Sequence, residues 1–157
     1  MLHTMRWFGP HDPPFPCLGL PWVVGIEVDL AGLRAACDVR ANSLAFCTGL
    51  LSVRPGNDLP GLTERFGART YFVHPRATKR TENPRNFYKA AHLAGHVDLY
   101  AVVQAPGCDG LRRTAAGAEN ATLPQRPDHS HQLLDDLNTT KPTYPGYSAS
   151  NTACAAP

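Results

Sequence analysis

Two short apolar runs constrain this chain more than any other feature. Leu44-Ala45-Phe46-Cys47, closed by Thr48-Gly49, and Thr70-Tyr71-Phe72-Val73-His74, ended by Pro75, lack the apolar/polar alternation of a strand with one wet face. Runs of this kind bounded by turn residues are expected of strands buried on both faces, the habit of parallel sheets covered by helices. Between them, Leu59–Phe66 reads as a helix with Asn57 or Asp58 as N-cap and Pro60 in the first turn, where a missing N–H costs nothing. Upstream, Val28, Leu30, Leu33, Ala36 and Cys37 fall near helical spacing over Glu27–Cys37, and Glu27 and Asp29 lie where the helix dipole favours acids. Helices alternating with apolar strands every ~25 residues predict an α/β fold with a parallel sheet and about three β/α units.

The remainder is less regular. Residues 1–21 read as a loop, because Pro10, Pro13, Pro14 and Pro16 suit neither a helix nor an inner strand. The run Leu99-Tyr100-Ala101-Val102-Val103 within Asp98–Gln104 fits a strand or a helix. Residues 106–122 are polar and Ala/Gly-rich, with no element predicted, and Thr122-Leu123-Pro124 reads as a weak strand. From Asn138 onward large apolar residues almost vanish, so fraying is expected.

Composition excludes several classes of function. Leu, Ile, Val and Phe make up only 33 of 157 residues, which predicts a thin core. Fifteen Lys and Arg are scattered among 13 Asp and Glu for a net charge of +2, leaving no continuous basic face for a nucleic acid. No apolar run approaches the ~20 residues of a membrane span, and the N-terminus lacks the apolar stretch of a signal peptide. A soluble, cytoplasmic chain is therefore expected. Five cysteines, Cys17, Cys37, Cys47, Cys108 and Cys154, include no Cys-x-x-Cys pair, so most are expected to be reduced thiols behaving as small buried hydrophobes.

Three potential metal ligands follow predicted strands: Cys47, His74 and Asp128. In a β/α barrel the C-terminal strand ends form the face on which active sites are built. A thiolate, an imidazole and a carboxylate form a mixed soft and hard set suited to Zn, Fe(II) or Mn rather than Mg or Ca. Spacing alone favours the plainer reading of the same residues as a buried thiol, a hydrogen-bonded strand-end histidine and a turn aspartate. Asp128-His129-Ser130-His131, followed by Asp135-Asp136, is the densest ionisable cluster; it could hold a metal and move protons, or open a short helix at Gln132–Leu137. Arg76, Lys79 and Arg80 could bind an anionic group, Arg76 by bidentate pairing with a carboxylate, or could be a solvated charge run.

These blocks, taken in order, resemble the mannonate dehydratase family. The resemblance is carried by Arg126 through Leu137 with Pro145-Gly146-Tyr147-Ser148, by Phe46-Cys47-Thr48-Gly49 with Arg54 through Pro60, and by Tyr71 through Arg76 with Lys79-Arg80. Asp12-Pro13-Pro14-Phe15-Pro16 with Leu18 through Pro21, and His92-Leu93-Ala94-Gly95 with Val97-Asp98, match further blocks. It covers residues 12–148 as the C-terminal half of a barrel. Residues 1–11 resemble the strand that opens the same family, which implies an internal deletion near His11-Asp12, and residues 149–157 are expected to be a disordered tail.

The resemblance implies a partial (β/α)8 TIM barrel, similar to xylose isomerase, and a lyase of hexuronate catabolism that converts D-mannonate to 2-dehydro-3-deoxy-D-gluconate with Mn(II) or Fe(II). Cys47, His74 and Asp128 would be metal ligands, His129 and Tyr147 acid/base groups, and Arg76 a substrate contact. The family's fourth ligand, a histidine, falls on Gly9, with His11 two residues away. A chain of 157 residues is too short for eight β/α units, so weak or absent activity is expected. The alternative is a non-catalytic relative that binds a divalent metal weakly or pairs with another chain. Expected partners are a sugar acid and, compatibly, further copies of the chain, with no nucleic acid or membrane.

Overall fold

The computed structural model describes residues 6–9, 15–21, 23–83, 85–117, 122–126 and 137; of residues 6–8, 105–109 and 112 it describes the backbone. A three-stranded parallel sheet in the order β1-β2-β3 is formed by Arg6–Phe8 (β1), Asn42–Cys47 (β2) and Thr70–His74 (β3). The connection from β1 to β2 carries helix α1, Glu27–Ala36, and that from β2 to β3 carries α2, Thr48–Ser52, and α3, Leu59–Phe66. The expected α/β alternation is thus present.

Local chemistry accounts for the element ends. The carboxylate of Asp29 accepts hydrogen bonds from Gly25 and Ile26 N–H at 2.9 and 3.0 Å, satisfying donors that the start of α1 leaves without helical partners. At its other end, the amide of Asn42 donates to the carbonyls of Leu33 and Cys37 at 2.8 and 2.9 Å, tying α1 to the first residue of β2. Asp58 is the N-cap of α3, accepting from Gly61 N–H at 3.2 Å, and Pro60 follows in the first turn. Leu59, Leu62, Thr63 and Phe66 form the buried face of this helix.

The core lies between the sheet and these helices. Phe46 and Val73 are register partners on β2 and β3 and are both completely buried, with Leu62 of α3, Leu51 of α2 and Val102 equally excluded from water. Because successive strand residues face opposite ways, Ala45, Cys47, Phe72 and His74 share the other face. The register slips between Leu44 and Ala45, so Leu44 pairs with Thr70 and Ala45 with Phe72.

Several expectations are corrected. Residues 1–21 are not wholly a loop, since Arg6–Phe8 is a strand paired with β2. Thr48-Gly49 opens helix α2 rather than a turn. The ambiguous run beginning at Leu99 is helical, and this helix, α4, extends over Leu99–Ala115, well into the stretch with no predicted element. The side chain of Asp98 accepts from Ala101 N–H at 2.9 Å at its start, and the Arg113 guanidinium donates to the Gly67 carbonyl near its end. Between β3 and α4 lies an unforeseen antiparallel hairpin, Thr78–Arg80 (β4) and Phe87–Lys89 (β5). In place of a strand at Thr122–Pro124, Val73 makes a single parallel bridge to Gln125, with Val73 N–H to the Pro124 carbonyl at 3.1 Å and Arg126 N–H to the Val73 carbonyl at 3.0 Å. Of the thiols, Cys47 is buried but Cys17 and Cys37 are exposed. Among the described residues no helix is long and apolar enough to cross a membrane. The expected helix at Gln132–Leu137, apart from Leu137, and the tail at 149–157 lie outside the described residues.

Candidate metal and substrate site

A parallel sheet brings the ends of neighbouring strands to one edge, and here Cys47 and His74 occupy that edge. They are the final register pair of β2 and β3 and lie on the same face, on strands ~4.8 Å apart. Cys47 is buried and His74 is half-buried. The imidazole stands edge-on to Phe72, with ring centroids 4.8 Å apart and planes at 80°, as two residues of one strand face can. Thiolate and imidazole side by side are donors suited to a divalent transition ion such as iron.

Past this pair the chain is fixed by hydroxyls. Thr48 directly follows Cys47, and its Oγ1 accepts from the Arg76 N–H at 2.7 Å and reaches the carbonyls of Arg76 at 2.6 Å and His74 at 3.2 Å. Ser52 Oγ and Thr78 Oγ1 lie 2.6 Å apart, one hydroxyl donating to the other, and the two oxygens are 2.9 and 3.3 Å from the Gly49 carbonyl oxygen, which accepts from the hydroxyl left free to donate. Thr48, Ser52 and Thr78 are all buried, so these bonds offset the cost of taking three hydroxyls out of water.

Arg76 is only 6% exposed, and its stem lies against Gly49: a Cβ on that glycine would come within 2.6–2.9 Å of the Arg76 Cβ, Cγ and Cδ. The other two cations expected near the site behave differently. Lys79 is exposed, whereas the Arg80 guanidinium donates to the Ser52 carbonyl and its backbone N–H donates to His96 Nδ1 at 3.1 Å. Arg80 therefore braces the hairpin against α2.

The expected donors and acid/base groups divide into two sets. Cys47 and His74 are brought together, with Arg76 two residues beyond His74. Asp128, His129 and Tyr147 lie outside the described residues, as do His11, His131, Asp135 and Asp136. Among the described residues no group of three His, Cys, Asp or Glu is gathered for a metal. Gly9 follows β1 directly, and a Cβ there would lie 3.6 Å from the Ala45 carbonyl oxygen and 4.0 Å from the Ala45 Cβ, beside the Cys47/His74 face. Sequence reading overlooked the buried hydroxyls. Their one signal is the position of Thr48, a hydrogen-bonding residue directly after the apolar run Leu44–Cys47.

The sequence profile of the D-mannonate dehydratase (UxuA) family matches residues 5–156. The chain is 47% identical over 137 residues to the mannonate dehydratase of Chromohalobacter salexigens, covering 87% of this chain and 34% of that one. It is 44% identical over 140 residues to mannonate dehydratase 1 of Agrobacterium fabrum, covering 88% and 34%. The crystal structure of mannonate dehydratase from Streptococcus suis serotype 2 superposes with a TM-score of 0.71 at 25% identity, covering 94% of this chain and 40% of that one. The chain thus spans about a third of the length of the curated relatives it matches.

Proposed function

The chain belongs to the D-mannonate dehydratase family, and from that premise we propose that it is a metal-dependent lyase of weak activity that dehydrates D-mannonate to 2-dehydro-3-deoxy-D-gluconate. The reaction would serve hexuronate catabolism in the cytoplasm. The single observation that carries the reading is the register pair Cys47 and His74 at one edge of the parallel sheet. The parallel order β1-β2-β3, with helices in its connections, supports reading the sheet as part of a (β/α)8 barrel, whose strand ends are where such sites form.

Cys47, His74 and Asp128 are the proposed metal ligands, for Mn(II) or Fe(II). When bound, the ion supplies positive charge that offsets the negative charge developing on the substrate carboxylate. Arg76 is the proposed partner of that carboxylate, its fork of donors matching two oxygens. His129 and Tyr147 are the proposed acid/base pair: one removes the proton α to the carboxylate and the other gives a proton to the departing C3 hydroxyl.

One observation favours a second reading. Gly9 stands where the family resemblance places a fourth ligand, and it has no side chain to donate. A chain short of that donor could bind a divalent metal weakly without turnover, or pair with another chain.

Incubating the purified chain with D-mannonate and Mn(II) or Fe(II), and assaying the keto-deoxy acid, separates the two. Slow, metal-dependent product formation that is lost in Cys47→Ala, His74→Ala and His129→Ala is expected. Metal binding with no product supports the second reading, and product formation indifferent to metal overturns both.

A further inference from the structure

Resting on the reading of Cys47 and His74 as metal donors, we propose that Thr48 is the positioning residue of that pair. Its hydroxyl fastens the end of β3 to the end of β2 and so sets the separation of thiol and imidazole. The backbone ladder between these strands has Cys47 and His74 as its last register pair. Beyond it, the Thr48 hydroxyl takes over, bound to the Arg76 N–H at 2.7 Å and the Arg76 carbonyl at 2.6 Å, with the His74 carbonyl at 3.2 Å.

Two further features make this contact rigid rather than incidental. Thr48 is completely buried, so water does not compete for its hydrogen bonds. Gly49 allows the backbone of α2 to approach the Arg76 stem more closely than any side chain would permit, and Ser52 and Thr78 close the same seam behind it. Valine would fill the same volume as threonine at position 48. A buried hydroxyl with three backbone partners is therefore a directional device, and metal–ligand distances, which tolerate only ~0.2 Å, are what such a device controls.

The test uses the whole chain with Co(II) as probe, because a cobalt–thiolate bond gives a charge-transfer absorption, and the part of that band lost in Cys47→Ala, where the exposed Cys17 and Cys37 remain, reports Cys47. Thr48→Val and Thr48→Ser are compared with the unaltered chain, and amide hydrogen exchange is read at Arg76 and, as an internal standard, at Val73. Thr48→Val is expected to weaken Co(II) binding about ten- to a hundredfold, the usual effect of removing a group that orients a ligand, and to diminish the band. Arg76 exchange should quicken while Val73 exchange changes little, and Thr48→Ser should restore both readouts. A band unchanged in Thr48→Val overturns the positioning role alone. Absence of the band in the unaltered chain overturns the donor reading beneath it, and Arg76 exchange then judges the hydroxyl clamp by itself. Should Thr48→Val fail to fold, exchange at Arg76 much faster than at Val73 in the unaltered chain overturns the proposal.

Discussion

Strand β2 is held in two different ways on its two sides. Toward β3 the pairing runs to Cys47 and His74 and is then continued by the Thr48 hydroxyl and the close approach of Gly49 to Arg76. Toward β1 the register ends at Phe8 and Leu44, and a Cβ added at the next residue, Gly9, would meet Ala45, among the described residues, only at ordinary van der Waals distances. The locked side bears both donors that the structure brings together, and the loose side bears a glycine. The contrast teaches that space and chemistry are separate requirements: among the described residues there is room for a further donor beside Ala45, but Gly9 has no side chain to supply it.

The largest effect is expected from weakening the locked side at its centre. Phe46→Ala removes a completely buried ring on β2 opposite Val73 and should cost about 3–5 kcal/mol, a large share of a small domain's stability of roughly 5–15 kcal/mol. Urea unfolding followed by circular dichroism measures it, and a loss below about 1 kcal/mol would show that the β2/β3 seam is not the centre of the core. Next comes Gly49→Ala, whose added methyl must displace the Arg76 stem. A cost of about 1–3 kcal/mol in the same assay is expected, and an unchanged midpoint would mean that the seam yields freely.

The elements of the locked side were also the legible ones. Leu59–Phe66 was readable because Asp58 and Pro60 are start signals and its apolar residues recur at helical spacing; Thr70–His74 was readable because four consecutive strand formers, Thr70 to Val73, are followed by His74 and a proline. What sequence reading missed is held by distant contacts rather than by local preference. The strands Thr78–Arg80 and Phe87–Lys89 are short and charged, and they persist because Ala90 N–H reaches the Ala77 carbonyl at 3.1 Å and Arg80 braces Ser52. Helix α4 runs past Pro106 and Gly107, poor helix residues, and is anchored by Arg113 on Gly67. At the site, strand ends predicted that Cys47 and His74 would meet. No periodicity could have predicted a buried threonine hydroxyl reaching 28 residues along the chain.

Asp58→Ala probes the approach to β3 with a smaller expected effect. Loss of the N-cap of α3 should cost about 1 kcal/mol and lower the melting temperature by a few degrees. The neighbouring Arg65 contact at 3.6 Å is exposed and contributes little. Thermal denaturation indistinguishable from the unaltered chain would mean that packing of Leu62 and Phe66 alone starts this helix.

The smallest change in stability, and the sharpest test of the comparison, is expected from Gly9→His. Among the described residues a Cβ at this position meets ordinary contacts at 3.6 and 4.0 Å, so the fold should change by no more than about 0.5 kcal/mol. Any entropic gain from removing a glycine just past a strand partly offsets the ordering of the imidazole. The Cβ would lie next to that of Ala45, whose face is shared with Cys47 and His74, so the new side chain would extend along the face that carries both donors. Co(II) titration should then show binding at least about tenfold tighter, which corresponds to about 1.4 kcal/mol. If affinity is unchanged while the fold is intact, the loose side of β2 does not face the same ion, and the two sides of the strand differ in purpose as well as in construction.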